Sequence, residues 1–189
     1  MLQIADQTFQ IASATLVADV TGGALSWSLN IETVAKNVGG KRWQPHAYSD
    51  HLLPIEGIML EHWTDVFLHD LTWSANYHEE AETTHAALDV FKPLDIFDSR
   101  LRITPQPGGN QIQIDWSARC DVFFSDAYGG NLPLEIHTPG TFDGIVVGEP
   151  GESLTESEAL ERLRPHVATG DFHFYPAQDP HMLPMMCVA

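Results

Sequence analysis

Basic residues are scarce in this sequence. Its 189 residues include 9 Lys and Arg against 26 Asp and Glu, which gives a formal net charge of −17 at pH 7. A field of this sign repels nucleic acid and anionic membrane surfaces, and it attracts cations and basic proteins. The composition therefore argues against nucleic-acid binding. Two interpretations of the negative charge remain: the protein binds a basic partner, or the charge serves only to keep the protein soluble.

Cysteine and long apolar runs are also in short supply. Two cysteines, Cys120 and Cys187, provide neither a disulfide framework nor the spacing of a zinc site. No run approaches the roughly 18 apolar residues that a membrane-spanning helix needs. The N-terminus lacks a basic region followed by an apolar run, which is the pattern of a signal peptide. We therefore expect a cytoplasmic protein that is not inserted in a membrane.

Common catalytic and phosphate-binding motifs are missing as well. The sequence contains no Gly-x-Ser-x-Gly elbow, no Gly-x-Gly-x-x-Gly or Gly-Lys-Ser/Thr loop and no His-Glu-x-x-His. Its glycine pairs, such as those at 39–40 and 129–130, are better explained as turns. These absences disfavour nucleotide binding and serine hydrolysis.

The strongest pattern that is present is an alternation of apolar and polar residues over 111–122. The apolar members are Ile112, Ile114, Trp116, Ala118, Cys120 and Val122. A period of two is typical of a strand with one buried face. Residues 101–104 alternate as well, and the Pro-Gln-Pro-Gly-Gly-Asn stretch between the two segments can reverse the chain. We predict a long β-hairpin here.

Similar patterns recur over the first 150 residues. Residues 8–32 predict a second hairpin around a Gly-Gly turn, and residues 58–90 and 132–147 contain further short alternating segments. A series of about eight to ten short strands with regular turns is typical of an all-β fold. We predict an antiparallel β-sandwich, or an open barrel, with Trp27 and Trp116 in its core.

The pattern changes after residue 150. Overlapping capping boxes at 153–158 precede leucines at helical spacing, and Pro165 and Gly170 can end a helix. We predict a single domain with the β-sandwich over 1–150, a helix over 151–170 and a C-terminal tail over 171–189. Because the tail is apolar, we expect it to dock on the sheet or to form a homodimer contact.

The 10 histidines raise the question of a metal site. Candidate ligands, if a metal were bound, would be His62, Asp65, His69, His78 and His85. Nothing in their spacing makes them converge, so we expect no metal and no cofactor. An enzyme with a His/carboxylate site over 61–85, possibly metal-dependent, is nevertheless one alternative function.

Aromatic residues outside the buried phases suggest another alternative. These residues are Trp43, Tyr48, Trp63 and Trp73. If their rings were exposed beside polar groups, the protein could be a carbohydrate-binding β-sandwich module. Ordinary packing explains the same residues equally well.

The function we expect is that of a non-catalytic acidic protein that binds and neutralises a basic protein partner, as immunity proteins and inhibitors do. Residues 61–100 hold nine acids and two bases, so we expect the recognition surface there. The predicted contact residues are Asp65, Asp70, Glu79, Glu80 and Glu82, with Trp43 and Tyr48 as aromatic anchors.

Overall fold

Strands make up most of the computed structural model. It describes residues 1–20, 23–49, 60–67, 70–74, 77–78, 83–84, 86–107, 109–123, 128–170 and 172–188. The strands are β1 (Leu2–Ile4), β2 (Gln7–Phe9), β3 (Ile11–Asp19), β4 (Ser26–Thr33), β5 (Lys36–Val38), β6 (Lys41–Trp43), β7 (His46–Ser49), β8 (Leu71–Trp73), β9 (Tyr77–His78), β10 (Thr83–Thr84), β11 (Ala87–Asp89), β12 (Pro93–Pro105), β13 (Gln111–Cys120), β14 (Leu132–Val146), β15 (Phe172–Tyr175) and β16 (Met185–Val188). A 3-10 helix (Trp63–Phe67) and an α-helix, α1 (Glu156–Leu163), are the helical segments of these residues.

Seven strands close into a barrel in the order β3, β4, β7, β11, β12, β13, β14 and back to β3. Six of the pairings are antiparallel, whereas β14 and β3 run parallel. The predicted all-β class, a sandwich or barrel, is confirmed. The prediction of an antiparallel sandwich or open barrel needs correction to a closed barrel with one parallel pair, because alternation reveals which face of a strand is buried but not which strand lies beside it.

The number of strands also exceeds the prediction. The described residues form sixteen strands rather than eight to ten, and many of the additional ones are only two to four residues long. Strands this short contain too few residues to show a period of two, so the sequence gives no signal for them.

The predicted central hairpin is confirmed as β12 and β13. Ile103 faces Ile114 and Leu101 faces Trp116 across this pair. Along β13 the apolar residues are buried and the polar residues between them are more exposed, as the alternation predicted. β14 pairs with the other edge of β13, so β13 lies inside the barrel wall with a neighbour on each side.

Aromatic side chains fill the barrel. The core positions predicted for Trp27 and Trp116 are confirmed, since both side chains are fully buried. The Trp116 indole N–H donates to Ser99 Oγ at 3.2 Å. Trp27 packs against Phe142 at a ring-centroid distance of 5.3 Å, and Trp63 of the 3-10 helix stacks on Phe142 at 4.3 Å. The 3-10 helix therefore packs on this part of the barrel core.

The α-helix is shorter than predicted. Thr155 caps it, with Thr155 Oγ1 accepting from the backbone N–H of Glu158 while the Glu158 carboxylate accepts from the backbone N–H of Thr155. The helix ends at Leu163, and Pro165 follows two residues later. Within the described ranges, no helix has the length and hydropathy that a membrane crossing requires.

The apolar tail packs on the barrel. Met186 of β16 pairs with Ile145 of β14 on one side and with Phe174 of β15 on the other. The Met186 side chain is fully buried in this position. Sheet pairing explains why so apolar a segment is compatible with water, because its backbone groups and one of its faces are covered.

The core predicts the effect of replacing Trp116. Trp116→Ala should lower the free energy of unfolding by about 3–5 kcal/mol, because it leaves a cavity inside the barrel wall. Urea unfolding followed by circular dichroism measures this loss. The matched control is Tyr175→Ala, whose ring is 56% exposed and whose loss should change stability by less than about 0.5 kcal/mol. A loss below about 1 kcal/mol for Trp116→Ala would contradict this arrangement of the core.

Candidate functional site

Asp70, one of the predicted contact acids, is already paired within the chain. Arg100 Nε donates to Asp70 Oδ2 at 2.7 Å, and Arg102 Nε donates to Asp70 Oδ1 at 2.6 Å. The hydrogen bonds from Arg102 and Arg100 hold the pKa of Asp70 below its usual value. Two guanidinium groups offset its charge, so Asp70 adds little to an acidic recognition surface.

The other residues predicted around 61–85 fall into three groups. Asp65 is half-buried and accepts a hydrogen bond of 2.9 Å from the backbone N–H of exposed His62. For His78 the structure describes the backbone, which pairs with Thr83. Glu79, Glu80, Glu82, His69 and His85 lie outside the described residues. Where side chains are described, no three His, Cys, Asp or Glu residues are grouped so as to hold a metal ion, and the expectation of no metal stays a prediction.

Trp43 lies in the core, so the prediction that it is a surface anchor is corrected. It stacks on Phe9 at a centroid distance of 6.2 Å and contacts Tyr128 edge-on at 5.2 Å. Its side chain is fully buried, and Trp63 is also buried. Large aromatic rings are commonly buried in this way, and the burial of Trp43 and Trp63 removes two of the four rings of the possible platform, whereas Tyr48 and Trp73 are half-buried.

Tyr48 occupies a different position, on the outer face of the barrel. It is half-buried and faces Asn30 of β4 across the β4–β7 pair. His46, two residues earlier on the same face, pairs with Glu32 of β4 on one side and with Asp89 of β11 on the other. A histidine between two carboxylates thus stands beside a tyrosine and an asparagine. We call these five residues the His46 cluster.

Contacts hold three side chains of the His46 cluster together, and a fourth is hydrogen-bonded to β3. His46 Nε2 donates to Asn30 Oδ1 at 2.6 Å. The His46 and Tyr48 rings are 4.9 Å apart between centroids and tilted by 35°. Ser13 on β3 donates to Glu32 Oε2 at 3.3 Å. The cluster extends over adjoining strands and presents both charged and aromatic groups on its outward face.

Two depressions of the surface adjoin at His46. The larger, which we call the groove, has a volume of about 590 Å³, and the smaller has about 290 Å³. Short side chains, Thr15 and Ser28, line the groove between large residues, with Tyr48 on the β7 side and Met185 on the tail side. Glu32, His46 and Asp89 line the smaller depression. The groove has the size of a typical ligand cleft.

A β-bulge in β14 places Asp143 at the groove. Along the parallel pair with β3, Phe142 faces Leu16 and Gly144 faces Val17, so Asp143 is the extra residue. Bulges commonly redirect a side chain near a functional site. Asp143 is exposed and lines the groove, and its Oδ1 accepts from Thr141 Oγ1 at 2.9 Å.

The charges at the two depressions have one sign. Glu32 and Asp89 line the smaller depression and Asp143 lines the groove. The described residues that line them include neither lysine nor arginine. Such a site disfavours anions and suits a cationic group that can also contact an aromatic ring.

Most of this site was not predicted from the sequence. Tyr48 was predicted, but Asn30, Glu32, His46, Asp89 and Asp143 were not. The outward phase of β4 contains a usable signal, since Asn30 and Glu32 alternate with the buried Leu29 and Ile31. The pairing of β4 and β11 with β7 brings these residues to His46, and the sequence of a single strand does not indicate which strands will pair with it.

Comparison of the chain with protein-family models, curated proteins and solved structures finds no significant match in any of the three. The interpretation of the site therefore depends on its own geometry and charge.

The bulge predicts the effect of replacing Gly144. Its φ is 129°, and an added Cβ would lie 2.5 Å from the carbonyl oxygen of Met186 on the tail. Gly144→Ala should therefore destabilise the protein through backbone strain and through this clash, each by about 1–3 kcal/mol. Thermal unfolding gives the loss.

Gly109→Ala is the matched control. Gly109 also has a positive φ, 117°, but an added Cβ would meet nothing within 4 Å. The control variant should lose stability through backbone strain alone, so its loss should be smaller than that of Gly144→Ala. Equal losses in the two variants would mean that the tail does not pack on the bulge as described.

Proposed function

We propose that this protein is a non-catalytic binding protein that recognises a basic protein partner through the His46 cluster and the adjoining groove. One observation carries the proposal. The two depressions combine three carboxylates with the rings of Tyr48 and His46, and their described lining contains no lysine or arginine. Carboxylates provide electrostatic complementarity, and partly buried aromatic residues are the anchors that protein interfaces favour.

The rest of the surface supports a cationic partner. No described Asp or Glu side chain is buried, so these acids contribute to the field around the protein. Few of them have a basic partner of their own. Besides Asp70, Glu152 forms an ion pair with Arg162 at 2.7 Å, and Asp115 is paired with His137. The excess of negative charge would steer a basic protein toward the surface and speed association.

We place the recognition surface at His46 rather than over 61–85, where Glu79, Glu80 and Glu82 lie outside the described residues and their role stays a prediction. Two arginines offset the charge of Asp70 there, whereas the carboxylates of Glu32, Asp89 and Asp143 line depressions that contain no lysine or arginine among their described residues. Tyr48 is the predicted aromatic anchor that lines a depression. In our proposal the protein acts as an immunity protein or inhibitor does, by covering a functional surface of the partner.

The cytoplasm is the compartment we propose for this activity. Cys120 and Cys187 are both unpaired, which suits a reducing environment. Burial raises the pKa of the Cys120 thiol to about 12, so Cys120 is a packing residue rather than a nucleophile.

A partner captured from the source cell at low salt should be a basic protein that high salt elutes. The variant Glu32→Gln/Asp89→Asn/Asp143→Asn removes three charges from the two depressions. Its association should be slower, because steering weakens, and its dissociation should be faster, because contacts are lost. Surface plasmon resonance at low and high salt measures both rates.

The control variant, Glu149→Gln/Glu156→Gln/Glu161→Gln, removes the same charge from exposed positions in and near α1. Its association should be slower to a similar degree, while its dissociation rate should stay unchanged. Equal dissociation rates in the two variants would contradict the proposed location of the site. Capture of no basic partner would contradict the proposed function.

A further inference from the structure

The groove has apolar and polar parts that lie side by side. Val17, Val146, Leu183 and Met185 provide the apolar part of its lining. Leu183 is 40% exposed, so a large apolar side chain at the groove remains open to water. The polar part includes Asp143 and the Asn30, His46 and Tyr48 members of the His46 cluster. This combination suits a ligand that has both an aliphatic portion and a polar head.

The charge of the groove identifies the polar head as a cation. Asp143 is the carboxylate in its lining, and no lysine or arginine accompanies it among the described lining residues. Thr141 occupies one position on Oδ1, and an ionised carboxylate has about four acceptor positions on its two oxygens. Asp143 can therefore accept further hydrogen bonds from an ammonium or guanidinium group.

Lysine and arginine side chains have this combination of properties. They bury their methylene stems along apolar surface while the charged head reaches a polar group. The aromatic ring of Tyr48, which lines the same groove as Asp143, adds a face on which a cation is attracted.

We propose that the groove accepts a lysine or arginine side chain of the partner, with its stem against Leu183 and Met185 and its head at Asp143. This inference rests on the proposed function, because the side chain is assumed to belong to the basic protein partner. The second depression supports a polypeptide source over a free amine. Glu32 and Asp89 lie just beyond His46, where a neighbouring basic side chain of the same segment could bind.

Matched tripeptides test this inference without the partner. The central residue of each tripeptide is lysine, acetyl-lysine or norleucine. All three have a similar aliphatic stem, but only lysine has a charged head. We would follow ¹⁵N-HSQC spectra of the full chain during titration with each peptide and with n-pentylamine. The lysine peptide should shift the amide signals of Thr15, Ser28 and Asp143. The acetyl-lysine and norleucine peptides should bind at least about threefold more weakly, as expected for loss of an exposed ion pair.

The variant Asp143→Asn should weaken binding of the lysine peptide by about threefold to tenfold. The control variant Glu149→Gln, at an exposed residue outside the lining of the groove, should leave it unchanged. In both variants, amide chemical shifts that match those of the unsubstituted protein at residues far from the substitution show that the fold is intact.

Three results would overturn the inference. They are the absence of lysine-dependent shifts at the groove, equal binding by the lysine and norleucine peptides, and unaltered binding by Asp143→Asn. If n-pentylamine bound as tightly as the lysine peptide, a free alkylamine would replace the partner side chain as the ligand. Partner capture tests the proposed function separately, because the acidic surface could bind a basic protein without using the groove.

Discussion

The parallel pairing of β3 with the second half of β14 is the constraint on which the rest of the structure depends. It joins the two ends of the strand series, so the barrel has no open edge between these strands. Closure creates the enclosed interior that Trp27, Trp116 and Phe142 fill. The same pair contains the bulge at Asp143, which lies between the part of β14 that pairs with β13 and the part that pairs with β16 of the tail.

Closure also determines where a ligand can bind. Because aromatic side chains fill the interior, the described depressions around His46 lie on the outer face of the wall. One alternation produces both surfaces of β4, with Leu29 and Ile31 directed to the core and Asn30 and Glu32 directed outward. The tail completes the arrangement as the far wall of the groove. The core and the candidate site therefore depend on the same strand pairings.

The sequence predicts those features that depend on one strand at a time. Alternation over 111–122 indicates the all-β class and the burial of Trp116, and both are confirmed. Features that depend on distant pairs have no such signal. Asp70 and its partner Arg100 are 30 residues apart, and nothing near Asp70 in the sequence indicates that its charge is offset. Trp43 ends a strand of only three residues, too short for its buried phase to be recognised.

Site-specific photo-crosslinking tests the central claim, that the outer face around His46 is the recognition site, most directly. A benzophenone amino acid would replace Tyr48 in one variant and Phe123, an exposed residue that lines neither depression, in another. Irradiation in the presence of the captured partner, followed by mass spectrometry, identifies the crosslinked position. We expect crosslinks from position 48 and none from position 123. Crosslinks from position 123 alone would contradict the account and would place the interface away from His46.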